Sequence, residues 1–395
     1  MARGAPTRHR RARWAVGPPR TRGRTAAGAE VEKQGAAGAD SRMDRAREGE
    51  KEGAREGAKE EVTGSGVNSD TGVLTTGEGV NPWGISRLLV LGGGYSGRRF
   101  ASHLAAHGIP ALLTGRQEPS TGPDPADGAS SALSWLRFDS TAGVVPSAED
   151  LAGVSHVLVT IPPGPDGEDP VLQHLGERLR ALAPAWVGYL STTGVYGNSG
   201  GAWVNEESPT NPAPGRSAAR LASEQAWRRS GLPLQVFRLP AIYGPGRTPF
   251  ASLQRGEARL IHKPGQVFSR IHVDDLVGAV LHTLTLPVDR RPDTLIVADA
   301  QPCPSSETLG YAAHLLGLPL PPLQPWDLVA PTLSPMARSF WSENRRADSR
   351  RLRETLGYEL RYPTYREGYR ACLGEEGLGV LPATLNAAPR ESADA

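Results

Sequence analysis

The stretch Ile85–Gly97, ISRLLVLGGGYSG, decides the fold. Leu88 to Leu91 form an unbroken apolar run, the pattern of a strand covered on both faces. The glycines that follow give G-x-G-x-x-G at Gly92, Gly94 and Gly97. Such a loop turns tightly and lets the backbone approach a pyrophosphate. The next helix then offers free N–H groups and the positive end of its dipole. GRRFASHLAAHG, Gly97–Gly108, places Phe100, Leu104 and Ala105 on one helical face and ends at His107 and Gly108. IPALLTGR, Ile109–Arg116, is a second apolar run. Strand, glycine turn, helix and strand make a βαβ unit, and in that setting the glycines read as a dinucleotide-binding loop.

The pattern continues outward. LSWLRFD ends a third strand at Asp139, and VSHVLVTIPP is a fourth with a Pro162–Pro163 stop. PVLQHLGERLRALAP is a helix, WVGYLSTTGVYG a fifth strand with its exit loop, and LPLQVFRLPAIYGPG a sixth strand. A helix over Ser217–Arg229 lies between the last two. Gln117 to Ser134, rich in Gly, Pro, Ser and Asp, reads as a loop in place of a helix. Alternating apolar strands and helices predict an α/β, doubly wound parallel sheet (a Rossmann fold) over 85–246. The looser, Pro-rich 247–376 predicts a smaller carboxyl-terminal substrate lobe, and 377–395 a tail.

Residues 1–82 differ. Met1 to Thr25 holds eight arginines and no acid, and a Gly/Ala stretch of mixed charge follows. So few large apolar residues cannot offset the entropy of ordering, which predicts a disordered extension. A transit peptide matches the arginines, but no serine precedes Ser41. A nucleic-acid arm matches the charge, but only Trp14 is aromatic there. A dispensable tail, or a natural start at Met43 or later, is the third reading.

The 395 residues carry a net charge of +2, which implies no strongly charged partner. Cys303 and Cys372 form neither a disulfide framework nor a metal cluster. No apolar run is long enough to span a membrane. The expectation is a soluble cytoplasmic protein without nucleic-acid or membrane partners, a monomer or homodimer. A plastid or mitochondrion is the alternative if the arginine-rich start is a transit peptide.

Cofactor choice is read at the end of the second strand, where an acid would bind the ribose 2′-hydroxyl of NAD. LLTGRQ has Thr114 and Arg116 there, and no acid until Glu118. Arg116 suits a 2′-phosphate, so NADP is preferred, with NAD possible; a surface arginine is the plain alternative. Arg98 or Arg99 can also reach a phosphate. The expected cofactor set is Gly92, Gly94, Tyr95, Gly97, Arg116, Asp139 and Pro162.

LSTTGVYG, then NEESPTNPAPGRSAARLASEQAW, RLPAIYGPGR and IHVDDLVGAVL, resemble in order the extended short-chain dehydrogenase/reductases, the NAD-dependent epimerase/dehydratase family. The resemblance covers about Ile85 to Glu376. It implies that Thr192 binds the reacting oxygen. With Glu224 fixing the register, the family's Tyr-x-x-x-Lys falls on Arg216 and Arg220. The chain therefore resembles atypical members that lose the catalytic tyrosine. Arg220 replaces the lysine as a fixed positive charge. Arg216, which stays protonated, cannot relay a proton and faces an anionic group. Tyr196 and Tyr243, at loop exits, are the alternative acid/base candidates, or else packed core or pocket wall.

In the lobe, Arg247, Lys263 and Arg270, with His262 and His272, suit an anionic or sugar-like substrate. They also suit ion pairs with Asp274 and Asp275. No metal-ligand spacing stands out. WSENRRADSRRLRETLGYEL, Trp341–Leu360, reads as a helix with a cationic face, one or two of its arginines turned inward. Two functions compete: an atypical oxidoreductase or epimerase/dehydratase-like enzyme, and a non-catalytic NADP-binding sensor. Nucleic-acid binding ranks last.

Overall fold

The computed structural model describes residues 81–117 and 132–378. The chain divides into two units, Met1–Val73 and Leu74–Ala395, and the described residues lie in the second. The expectations for the amino-terminal extension up to residue 80, for 118–131 and for the tail beyond 378 lie outside the described residues.

β1 (Leu88–Leu91) leads through the glycine loop into α1 (Tyr95–Ala106) and β2 (Ala111–Gly115). β3 (Leu133–Arg137), β4 (His156–Val159), α2 (Pro170–Leu182) and β5 (Trp186–Thr192) follow. Next come β6 (Trp203–Val204), α3 (Arg216–Arg228), β7 (Leu234–Leu239) and β8 (Ala241–Tyr243). The remainder is α4 (Phe250–Gln254), β9 (Leu260–His262), β10 (Arg270–His272), α5 (Val273–Thr285), β11 (Thr294–Ile296) and α6 (Ser305–Leu316). β12 (Leu323–Pro325), α7 (Trp326–Val329), α8 (Pro335–Ser342), β13 (Arg346–Ala347) and α9 (Tyr365–Glu375) complete it.

Seven strands form one sheet in the order β11-β7-β5-β4-β1-β2-β3. Every pairing in it is parallel. The order reverses between β1 and β4, and the carboxyl ends of those strands frame the crevice where such sheets bind ligands. Successive strand residues point to opposite faces. Val90, Leu158 and Phe237 face one side, under Phe100 and Leu104 of α1 and Leu276 and Val280 of α5. Leu89, Val157 and Val187 face the other, under Leu175 and Leu179 of α2 and Trp227 of α3. Both faces are dry, which is why the strands carry no polar alternation.

Two features differ from the sequence reading. A seventh strand, β11, joins the sheet from within 247–376, so the sheet draws on residues beyond the boundary expected at 246. The cationic stretch Trp341–Leu360 is not one helix. It contains the end of α8, then β13, which pairs with β6, and a single π turn over Arg351–Thr355. Arg345 donates to the Gly197 carbonyl at 2.7 Å and pairs with Glu343 at 2.6 Å. Arg346 donates to the Gly201 carbonyl. These distant acceptors override helical propensity. A further core forms where Tyr243, Phe250, Leu253, Leu309, Ala313, Tyr365 and Tyr369 meet. No described helix is long and apolar enough to cross a membrane.

Candidate functional site

The glycine loop is pinned from both sides. The Gly92 N–H donates to Thr114 Oγ1 at 3.1 Å and the Gly93 N–H to the Thr114 carbonyl at 2.6 Å. Thr160 Oγ1 donates to the Gly92 carbonyl at 2.8 Å. Gly92 has φ +114°, a conformation that only glycine adopts freely. A methyl group at Gly97 would overlap the Gly92 carbonyl and Val90, so this glycine lets α1 pack closely on β1. α1 opens at Gly94 with no side-chain cap and no acid in its first turn. The N–H groups of its first turn therefore take no side-chain acceptor from the cap.

A cavity of about 940 Å³ opens beside this loop. Gly92, Gly94, Arg116, Asp139 and Pro162 of the expected set line it. Arg98, Trp135 and Arg137 line it as well. Tyr95 lies outside the wall; its ring carries the Arg247 guanidinium at 4.2 Å. Arg98 and Arg99 divide their roles. Arg98 faces the cavity, whereas Arg99 pairs with Asp274 at 2.6 Å and Glu375 at 2.8 Å. Asp139 Oδ1 accepts from the Thr141 hydroxyl and from the N–H groups of Thr141 and Ala142. The Thr141 hydroxyl is the main cause of its lowered pKa.

β5 ends at Thr192, whose Oγ1 accepts from the Gly194 N–H at 3.1 Å. Ser217 Oγ lies so close to Gly194 that a methyl group there would overlap it. α3 is locked in place by a buried chain of hydrogen bonds. Arg220 Nη1 donates to Tyr189 Oη at 3.1 Å and to the Leu190 carbonyl at 3.2 Å. Tyr189 Oη bonds Ser223 Oγ at 2.8 Å. Ser223 Oγ and Trp227 Nε1 donate to Asp169 Oδ2 at 2.6 and 2.8 Å. Asp169 Oδ1 in turn caps α2. Arg216 is exposed at the start of α3, with its guanidinium 5.2 Å from the centre of the Phe340 ring. It pairs with no carboxylate among the described residues.

Both tyrosine candidates are packed inside, as in the packed-core alternative for each. Tyr196 is buried and its Oη accepts from Arg238 Nη1 at 2.9 Å. Burial pushes its pKa up to about 12. Arg238 also pairs with buried Glu224 at 2.9 Å, and Ser191 Oγ donates to the same carboxylate. Tyr196 thus belongs to an internal network and is not poised as an acid. Tyr243 is buried against His272 and Tyr369, and burial raises its pKa.

The cations Arg247, Lys263 and Arg270 are dispersed. Arg270 is buried and donates to the Phe268 carbonyl at 3.1 Å and Cys303 Sγ at 3.0 Å, which corrects its assignment to substrate. Arg247 reaches back over Tyr95, the first residue of α1. Lys263 donates to the Trp341 carbonyl and lines a second cavity of about 180 Å³ with His262 and Arg346. His272 is a buried cap of α5, its Nδ1 accepting from the Asp274 N–H at 3.2 Å. Three residues escaped the sequence reading: Ser217, Trp135 and Arg137. The alternation in LSWLRFD placed the last two on one strand face, but nothing in it said which face meets the glycine loop. No described group of three His, Cys, Asp or Glu side chains could hold a metal ion.

No family model matches the chain. A functionally unknown conserved protein from Silicibacter pomeroyi DSS, of solved structure, is 42% identical with a TM-score of 0.66 over 73% of this chain and 99% of that one. A 3-diazoavenalumate denitrifying reductase from a Streptomyces species is 28% identical over 208 residues, 49% of this chain and 67% of the relative. A UDP-glucuronic acid 4-epimerase from Bacillus cereus, solved with NAD, shares the fold at 15% identity and TM-score 0.57, over 73% and 98% of the two chains. The chain belongs to one family with the Silicibacter pomeroyi protein, and it shares its fold with the NAD-bound epimerase from Bacillus cereus.

Proposed function

We propose that the protein is a nicotinamide-dinucleotide-dependent enzyme, an oxidoreductase or epimerase/dehydratase-like protein that prefers NADP. The observation that carries this reading is the cavity against the uncapped start of α1, lined by Arg98, Arg116 and Arg137. The described end of β2, through Gln117, holds Arg116 and no acid. Related proteins support the chemistry: the Streptomyces relative is named a reductase, and the Bacillus cereus structure holds NAD. The residues present fit a dinucleotide, with α1 N–H groups for the diphosphate and guanidinium groups for a further phosphate. Bound there, a nicotinamide supplies or accepts hydride.

The chain's own residues then have separate tasks. Thr192 donates its hydroxyl hydrogen bond to the reacting oxygen. Arg220, fixed on β5 through Nη1, keeps Nε and Nη2 for a ribose, and Arg216 binds an anionic group on a small anionic or sugar-like substrate. Residues 85–246 would supply the cofactor side and 247–376 the substrate side, with Lys263 and Arg247 at its margin. A non-catalytic, NADP-binding sensor is the second reading. It is favoured by Arg216 standing at the tyrosine position while Tyr196 and Tyr243 are packed inside. The test is NADPH oxidation by the purified full chain across a panel of carbonyl substrates with and without acidic groups. Turnover of any acidic member that falls in Thr192→Val supports the enzyme. Tight NADPH binding without turnover of any member supports the sensor.

A further inference from the structure

Trp135 and Arg137 stand two apart on β3, the edge strand of the sheet, so both side chains leave the same face. β3 pairs with β2 in a register that sets Arg137 opposite Gly115, the residue before Arg116. The two arginines therefore close the carboxyl ends of adjacent strands, and both line the 940 Å³ cavity. Arg98 reaches the same cavity from α1, held by a 2.8 Å hydrogen bond from its Nε to the Gly93 carbonyl.

Trp135 forms the wall between them. The benzo edge of its indole sits so close to Gly93 and Gly115 that a methyl group on either would overlap it. The Arg98 guanidinium lies 5.9 Å from the ring centre. Trp135 Nε1 is buried and has no hydrogen-bond partner among the described residues. The acid in this wall, Asp139, has Oδ1 occupied by the turn it caps, and its Oδ2 lies 3.9 Å from Arg137. Among the described residues of this wall, three guanidinium groups thus face one largely committed carboxylate. That imbalance suits a phosphate monoester, which offers three acceptor oxygens to forked donors. The diphosphate of a dinucleotide has its own donors at the start of α1.

We propose that Arg98, Arg116 and Arg137 form a subsite for the 2′-phosphate of NADP, with Trp135 as the wall for the adenosine that carries it. The proposal rests on the dinucleotide reading above and adds that β3 contributes as much to cofactor choice as the end of β2. The adenine half of NADP, 2′,5′-ADP, then binds without the nicotinamide half.

Calorimetric titration of the full chain with 2′,5′-ADP, 3′,5′-ADP, 5′-ADP, NADP and NAD tests this. The expected result is 2′,5′-ADP at least about tenfold tighter than 5′-ADP, and NADP over NAD by a similar factor. Arg137→Gln and Arg116→Gln, both surface changes, each weaken 2′,5′-ADP about tenfold and leave 5′-ADP within about twofold. Equal binding of NADP and NAD overturns the subsite and leaves the dinucleotide reading standing. A preference for NADP that survives Arg137→Gln overturns the role of β3. Tighter binding of 3′,5′-ADP than of 2′,5′-ADP overturns the 2′ assignment. No binding of any of the five overturns both the subsite and the cofactor reading.

Discussion

Removing the Glu224 carboxylate should unfold the site before it alters any contact with a ligand. Glu224 is 1% and Arg238 8% exposed at the side chain. The carboxylate takes Arg238 Nη2 at 2.9 Å and Nε at 3.3 Å, and the Ser191 hydroxyl besides. In Glu224→Ala the guanidinium keeps only Tyr196 Oη, at 2.9 Å. A buried charge stripped of its partner costs about 3–5 kcal/mol. At roughly 2–4 °C per kcal/mol, the melting temperature should fall by about 6–20 °C. Replacing both members by Met removes the stranded charge, so Glu224→Met/Arg238→Met should recover most of the loss. Urea unfolding of the wild type, both single variants and the double variant measures the coupling. A Glu224→Ala cost under about 1 kcal/mol at unchanged m-value would refute the reasoning. So would a double variant that merely sums the two single losses.

Three further outcomes follow from the same geometry. His156 and His272 are buried and neutral, with pKa values pushed down to about 4. Their contribution to stability is complete above the unfolded value near 6.5 and is lost as pH falls from there toward 4, and His272→Asn, which keeps a cap acceptor, should flatten that slope in a urea–pH series. Asp299 has the opposite sign: burial pushes its pKa up to about 8, and Oδ2 has no partner. Its protonated form favours the folded state, so the contribution is present below about pH 4 and lost as pH rises through 8. Asp299→Asn should therefore stabilise by an amount that grows over that range and reaches at least about 1–3 kcal/mol at pH 9. At the site, Thr192→Val should lower turnover by about 100-fold, and Arg216→Ala should raise KM for an acidic substrate while NADPH affinity stays constant in the same kinetic series.

How far the chain could be read depended on how local each signal was. The glycine loop and strands β1, β2, β4, β5 and β7 were legible because contiguous apolar residues and glycines carry them. β11, three residues long, carries too little pattern to show. Glu224 served in the sequence as a register marker, yet its physical role depends on Arg238, on another element. The cationic stretch misled because the carbonyls that draw Arg345 and Arg346 inward lie at Gly197 and Gly201. Arg270 misled for a similar reason: charge density along the chain suggested an anion, while the fold buries that guanidinium beside Cys303. Arg116 was legible from its place after β2, but Arg137 and Trp135 gain meaning only when β3 pairs beside β2.

The central claim is that the uncapped start of α1 and the adjoining cavity hold a nicotinamide dinucleotide. A crystal structure of the full chain saturated with NADP tests it most directly. The account predicts the diphosphate on the N–H groups that open α1, the adenosine phosphate among Arg98, Arg116 and Arg137, and the nicotinamide extended toward Thr192. A dinucleotide seated elsewhere, or a cavity empty at saturating NADP, would contradict it.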